Sequence, residues 1–232
     1  KETLEYFSVT RTAAAIERCD IAILVIDAET GIVEQDKKIA DLITRNHRAC
    51  IVVINKWDLT TEAVKEARKE EIEHRRRKDR HRDDREKRLT TLGEFGHWVQ
   101  EQLFFLDYAP VIFTSATENF QLDRLLEAIR YVDDQWHQRI PTPLLNRTLK
   151  DIIDQKQPPN KTGKRFKLYY SVQVEGAPPA FTLFVNAPHV CTEQYELYLS
   201  RQMRRSFGFE GCPIRLFVKE RPKSIEPVRR NS

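Results

Sequence analysis

Glycine is scarce, seven residues in 232, and none stands in G-x-x-x-x-G-K-[ST], the loop whose backbone amides cradle phosphates. The nearest string, NKTGK at residues 160–164, lacks the first glycine and the closing Ser or Thr, and it precedes a strand pattern. No D-x-x-G follows a strand either. The chain therefore carries neither a phosphate cradle nor the magnesium-linked motif that phosphoryl transfer requires. Cysteine is also sparse. Cys19, Cys50, Cys191 and Cys212 form no C-x-x-C pair and have no histidines at ligand spacing, which argues against a disulfide framework or a zinc site and fits a reducing cytosol. Long hydrophobic runs are missing: IAILVI and CIVVI are of strand length, far short of the roughly 20 residues that span a bilayer. A soluble, cytoplasmic protein is expected. Lys1 opens the chain without a methionine or signal peptide, in what reads as mid-domain helix, so a fragment of a longer protein is expected.

At 40% hydrophobic residues the chain can bury one large core or two modest ones, and typical domain sizes favour two. The net charge of +4 hides a division. Residues 141–232 hold 16 Lys plus Arg against 8 Asp plus Glu, a surplus of eight, which leaves −4 for residues 1–140. A basic partner surface belongs in the carboxy-terminal third.

The first part alternates helical and strand patterns. Residues 2–18 place Leu4, Phe7, Ala14 and Ile16 at helical spacing; DIAILVID is a continuous apolar run of the kind covered on both faces; VEQDKKIADLITRNH is helical; CIVVI is buried again. APVIFTSA then reads as a third buried strand and LDRLLEAIRYVDDQWHQRI as a long amphipathic helix. The order implies a parallel sheet with helices on both faces. Between CIVVI and APVIFTSA, residues 62–88 hold 21 charged residues in 27. No core face exists there; acid-before-base pairs such as Glu71 with Arg75 support a solvated helix, and HRRRKDRHR offers a nucleic-acid-binding arm as the alternative.

After Pro143 the texture changes. LLNRTLKDIIDQ is helical and RFKLYYSVQVE alternates strictly, with Phe166, Leu168, Tyr170, Val172 and Val174 on one face and Arg165, Lys167, Tyr169 and Gln173 on the other. FTLFVN, TEQYELYLSRQMRRSFG and IRLFVKE complete a small α-β-β-α-β unit with a half-solvated sheet. On its last helix Tyr195, Tyr198, Leu199 and Met203 make an apolar stripe, and Arg201, Arg204 and Arg205 fall opposite, a ridge suited to phosphates or merely solvated. The outward sheet face is expected to mix Arg165, Lys167, Arg215 and Lys219 with Tyr169, Phe184 and Phe217, as a docking surface. GFEG, residues 208–211, reads as a helix C-cap followed by a turn.

The most informative stretch is ACIVVINKWDL, residues 49–59, where a buried strand surfaces in Asn55, Lys56, Trp57 and Asp58. A carboxylate at Asp58 can accept from the N1–H and the exocyclic amino group of guanine together, whereas adenine would leave it unpaired. Asn55 can reach the N7 edge and tie neighbouring loops, and the Lys56 stem can lie over the base. Trp57 is better placed for packing. The third strand ends in TSAT, where Ser115 and Ala116 match the loop whose backbone amide meets guanine O6 in small GTPases. Two base-reading motifs, in order and each at a strand end, point to guanine nucleotide.

Further stretches, among them YFSVTRTAAAIERCDIAILVIDAETGIVEQDKKIADLI, LDYAPVIFTSAT, LLNRTLKDII, FKLYYSVQV and RSFGFEGCPIRLFVKER, closely resemble the bacterial ribosome-assembly GTPase family Der, also called EngA. The resemblance covers nearly the whole chain apart from the charged insert and the tail. It implies an α/β fold: a parallel-sheet P-loop-type GTPase domain, here incomplete, over 1–138 with a charged insert at about 62–94, an α+β KH-like domain over 139–225, and a tail at 226–232. It further implies GTP hydrolysis by the parent protein, GTP or GDP with magnesium as cofactors, and the large ribosomal subunit, its rRNA and missing GTPase domains of the same protein as partners. The base site would be Asn55, Lys56, Asp58, Ser115 and Ala116; RNA or partner contacts would come from Arg201, Arg204, Arg205, Arg165, Lys167 and Arg215. No catalytic or metal-binding residue is expected in the chain itself, which is expected to be inactive alone. A non-enzymatic RNA-binding module on a GTPase-derived scaffold and an Era-like GTPase are the alternatives.

Overall fold

The computed structural model describes residues 2–60, 91–159 and 165–221; the charged stretch at 62–88 and the tail lie outside them. The chain divides into two compact units, Lys1–Trp136 with Phe209–Pro213, and His137–Gly208 with Ile214–Ser232. Both are α/β, the first built on a parallel sheet and the second on a mixed one.

The first unit runs α1 (Glu2–Arg18), β1 (Ile21–Asp27), α2 (Glu34–Arg45), β2 (Ala49–Asn55), α3 (Thr91–Gln102), β3 (Val111–Phe113) and α4 (Leu122–His137). Its strands pair in parallel in the order β1-β2-β3. Central β2 is buried from Ala49 to Ile54, which explains its uninterrupted β-branched run. One sheet face, Ala22, Leu24, Ile26, Cys50, Val52 and Ile54, packs with Ala40 and Ile43 of α2 and Phe95, Trp98 and Val99 of α3. On the other face Ile51 and Val53 are buried, yet Ile23 and Val25 of β1 are 42% and 55% exposed. The expectation that DIAILVID is covered on both faces is thus corrected: β1 is the edge strand, and only its Leu24 face is covered among the described residues.

Residues 209–213 come from the far end of the chain and complete this first unit. The Gly211 carbonyl accepts from the Cys50 amide (2.8 Å) and its amide donates to the Tyr108 carbonyl (2.6 Å). Two residues along β2, the Val52 amide bonds the Pro110 carbonyl, so Gly211 continues the ladder on the β3 side of β2. Phe209 is fully buried with a positive φ of 66°, and its amide donates to Gln135 Oε1 at 2.7 Å. Gly211 has φ +79°, and a Cβ there would stand 2.4 Å from Val132 Cγ2. Only glycine meets both conditions.

The second unit comprises α5 (Thr142–Gln155), β4 (Leu168–Gln173), β5 (Ala180–Val185), α6 (Glu193–Phe207) and β6 (Arg215–Glu220). β4 pairs antiparallel and β6 parallel with central β5. Leu145, Leu149, Ile152 and Ile153 of α5, Phe181, Leu183 and Val185 of β5, and Tyr195, Leu199 and Met203 of α6 are among its buried apolar residues. Thr192 caps α6, its hydroxyl accepting from the Tyr195 amide, and Gly208, at φ 90°, ends it. GFEG therefore begins as the expected C-cap.

The strict alternation read in RFKLYYSVQVE is corrected. The β4–β5 register shifts between Leu168 and Tyr170, where Leu168 opposes Val185 and Tyr170 opposes Phe184. Such a bulge puts two successive side chains out of phase. Phe166, Leu168 and Ser171 are buried, whereas Tyr170, Val172 and Val174 are exposed. Tyr170 stacks on Phe184 at 4.3 Å, and Tyr169 instead lines a groove beside α5. The outward face expected for Tyr169 belongs to Tyr170.

Candidate functional site

Three strand ends meet in the first unit. Asp27 and Asn55 are register partners at the carboxyl ends of β1 and β2, and β3 leads directly to Thr114, Ser115 and Ala116. The Ala28 amide bonds the Asn55 carbonyl (2.8 Å), the Thr114 amide the Ile54 carbonyl (2.8 Å), and the Trp57 amide the Thr114 carbonyl (3.0 Å). This is the edge of an open parallel sheet where ligands bind.

Asn55 is the hub. Its Oδ1 accepts from the Thr114 hydroxyl at 3.1 Å and the Ala116 amide at 3.2 Å. One carboxamide thereby fixes the β3 loop against the end of β2, the tying role expected of it. Lys56 sits in the left-handed region, φ 61° and ψ 34°, and its Nζ lies 2.7 Å from Asp27 Oδ2. That hydrogen bond, with a second from the Glu29 amide (2.8 Å), holds the Asp27 carboxyl below its ordinary range and raises the Lys56 ammonium. Both groups face solvent, which screens the pair. Asp58 stands opposite the β3 loop, with Thr117 Oγ1 at 3.5 Å from its Oδ2. Trp57 turns away, its ring 4.6 Å from Phe113 and 5.3 Å from Phe95, the packing role expected.

Ser115 is buried. Its Oγ accepts from the Glu118 amide at 3.2 Å, and its backbone forms a bridge with Phe120. It shapes the loop, while exposed Ala116 offers the amide. All five base-site candidates are thus brought to one edge. Asp27 was missed, because its pairing with Lys56 arises from parallel register; its only signal was its place at the end of a buried run.

The basic candidates of the second unit are scattered. Arg201 and Arg205 are exposed on α6 and Arg204 is half-buried. Arg165 pairs with Asp154 of α5 at 2.7 Å, and Arg215 lies 5.1 Å from the Phe217 ring on the sheet face. Lys167 sits 5.6 Å from the Tyr169 ring.

Similarity to known proteins agrees with the geometry. A model for the elongation factor Tu GTP binding domain matches residues 5–133, over half of the chain. The chain belongs to this GTP-binding domain family. A second model, for the KH-domain-like region of EngA bacterial GTPase enzymes, C-terminal, matches residues 139–219. Proteins named GTPase Der are 40% identical over 222 residues in Acetivibrio thermocellus and 41% over 216 in a Sulfurihydrogenibium species. These alignments take in 96% and 93% of this chain but 45% and 42% of the relatives; the chain spans less than half the length of the curated relatives it matches. The Der resemblance read from the motifs is borne out, including a GTP-binding domain followed by a KH-like one, and the EngA match favours it over the Era-like alternative.

Proposed function

We propose that this chain is the base-reading and RNA-docking portion of a GTP-hydrolysing factor of large ribosomal subunit maturation. The observation that carries the nucleotide half is the convergence of Asn55, Lys56, Asp58 and the Ala116 amide on one sheet edge. Guanine entering there would place N1–H and the 2-amino group on the Asp58 carboxylate and O6 on the Ala116 amide, which would turn from Asn55 Oδ1. The Asn55 amide nitrogen would take N7. The Lys56 stem would cover the ring, its ammonium anchored by Asp27. Specificity comes from the carboxylate, since adenine has no donors to meet it and would leave a desolvated charge unpaired.

Magnesium in such sites is held by one or two protein oxygens together with the nucleotide's phosphates, and its ligands are assigned to the phosphate half of the parent protein. The chemistry of hydrolysis belongs to a phosphate half that the sequence does not include. The role assigned to the second unit rests on the surplus of eight positive charges after residue 140 and on exposed Arg201 and Arg205, which suit a phosphate backbone.

Ligand-observed NMR of the 232-residue chain with GMP, AMP and XMP tests the base site. GMP should show contact and AMP none, and Asp58→Asn should exchange GMP for XMP, because the amide offers a donor where xanthine has a carbonyl. An Asp58→Asn chain that still prefers GMP would remove Asp58 from the site.

A further inference from the structure

Lys56 leaves the end of β2 in the left-handed region, φ 61° and ψ 34°, and its Nζ closes on Asp27 Oδ2, 2.7 Å away, at the end of β1. Neighbouring strands run about 4.8 Å apart, so the lysine's four-carbon stem is laid across the ends of two strands and not out into solvent. Those strand ends are themselves fixed. Asp27 and Asn55 are register partners, and the Ala28 amide bonds the Asn55 carbonyl at 2.8 Å. With the backbone pinned, what remains to be ordered in Lys56 is its side chain, and Asp27 orders it.

The two carboxylate oxygens of Asp27 serve different ends. Oδ1 accepts from the Glu29 amide at 2.8 Å and the Thr30 amide at 3.4 Å, a turn that shapes the loop after β1. Oδ2 takes the ammonium. A turn alone needs only the first oxygen, which an asparagine also supplies; the negative charge has no part in it. Glu29 and Asp58 bear on Lys56 through charge, whereas Asp27, among the described residues, is the acid in hydrogen-bond contact with it. Both side chains reach solvent, 52% exposed for Lys56 and 27% for Asp27, so the pair adds little to folding. Its effect falls on what the stem can do for a ligand. A lysine chain ordered only when a ring arrives weakens binding by the entropy it then loses; one ordered beforehand does not.

We propose that Asp27 is a positioning residue of the base site, holding Lys56 extended before the nucleotide arrives so that guanine meets a preformed platform. The proposal rests on the reading that guanine enters at this sheet edge. The loop after β1 thereby joins the two loops that carry Asn55, Lys56 and Asp58 and Ser115 and Ala116. Because the stem covers a ring without reading its edges, Asp27 sets affinity and leaves the choice of base to Asp58.

Ligand-observed NMR titration of the 232-residue chain with GMP tests this. Asp27→Asn, which keeps the turn acceptor, should weaken GMP binding about threefold to tenfold, the range for ordering one long side chain, with an unchanged tryptophan unfolding transition. Charge alone predicts the reverse, since removing a carboxylate favours an anionic ligand. Lys56→Met retains a stem without the ammonium and should lose at least as much; adding Asp27→Asn to it should weaken binding no further. In an Asp58→Asn chain, Asp27→Asn should weaken XMP by the same factor. An Asp27→Asn chain with wild-type GMP affinity overturns the proposal. So does an undiminished loss when Asp27→Asn is added to Lys56→Met, which would give Asp27 a role independent of the ammonium. Should Asp27→Asn fail to fold, Lys56→Met with wild-type affinity overturns the platform on its own. A wild-type chain without GMP contact overturns the base site and this inference with it.

Discussion

Gly211→Ala should destabilise the first unit although residue 211 lies far along the chain. The added Cβ would sit 2.4 Å from Val132 Cγ2 and 2.8 Å from Cγ1. Overpacking a filled core costs about 1–3 kcal/mol, and the left-handed backbone at φ +79° adds about 1–2 kcal/mol for an L-residue. A loss of about 2–5 kcal/mol follows, out of the roughly 5–15 kcal/mol that hold a domain together. The readout is built in. The three tryptophans, Trp57, Trp98 and Trp136, all belong to the first unit, so their fluorescence follows its unfolding alone. With a urea m-value of about 2 kcal/mol/M, the midpoint should fall by about 1–2.5 M. Adding Val132→Ala removes both Cγ atoms and should recover about 0.5–3 kcal/mol in a double-mutant cycle, leaving the backbone cost in place. A Gly211→Ala chain whose tryptophan transition moves by less than about 0.5 kcal/mol, the range of ordinary surface changes, would refute the assignment of residues 209–213 to this unit.

Asn55→Ala strips the acceptor from the buried Thr114 hydroxyl and the Ala116 amide, and should cost about 1–3 kcal/mol in the same tryptophan assay. Burial pushes the Cys50 thiol up from 9.0 to about 12. Its contribution to stability is therefore complete below the unfolded-state value and lost as pH rises from about 9 towards 12, with a limiting slope of about 1.4 kcal/mol per pH unit. Urea midpoints at pH 8, 9.5 and 10.5 should show this excess slope in wild type and not in Cys50→Ala. The chain alone should release phosphate from GTP no faster than buffer and bind GDP weakly, which a phosphate-release assay and isothermal titration check; sub-micromolar GDP binding would contradict it.

What could be read from the sequence was what chemistry confines to short stretches. Asn55, Lys56 and Asp58 follow one another at a strand end, and Ser115 and Ala116 announce themselves after the third apolar run, so both halves of the proposed base site were visible before any fold was known. Long-range register was not. Asp27 joins Lys56 only because β1 and β2 end together, and no spacing encodes that. The β4 bulge escaped because Tyr169 and Tyr170 are identical side chains: alternation chose between them by parity, and the one-residue shift reversed the choice. The exposure of Ile23 and Val25 escaped because an apolar run looks the same whether one face or both are covered.

The placement of residues 209–213 also has a temporal consequence. The Phe209 amide meets a partner 74 residues earlier in the chain, and the Cys212 thiol one 80 residues earlier. During synthesis at about 5–20 residues per second, the first unit waits about 4–15 s after Gln135 is made before the segment that fills it exists. Through that interval the Cys50 amide and the Tyr108 carbonyl lack their partner, and Val132 faces an unfilled seat. The first unit therefore cannot close until most of the second has been made, residues 137–208 being translated in the meantime with β6 still to come, and a nascent chain stalled before Phe209 would present a first unit still open to chaperones and proteases.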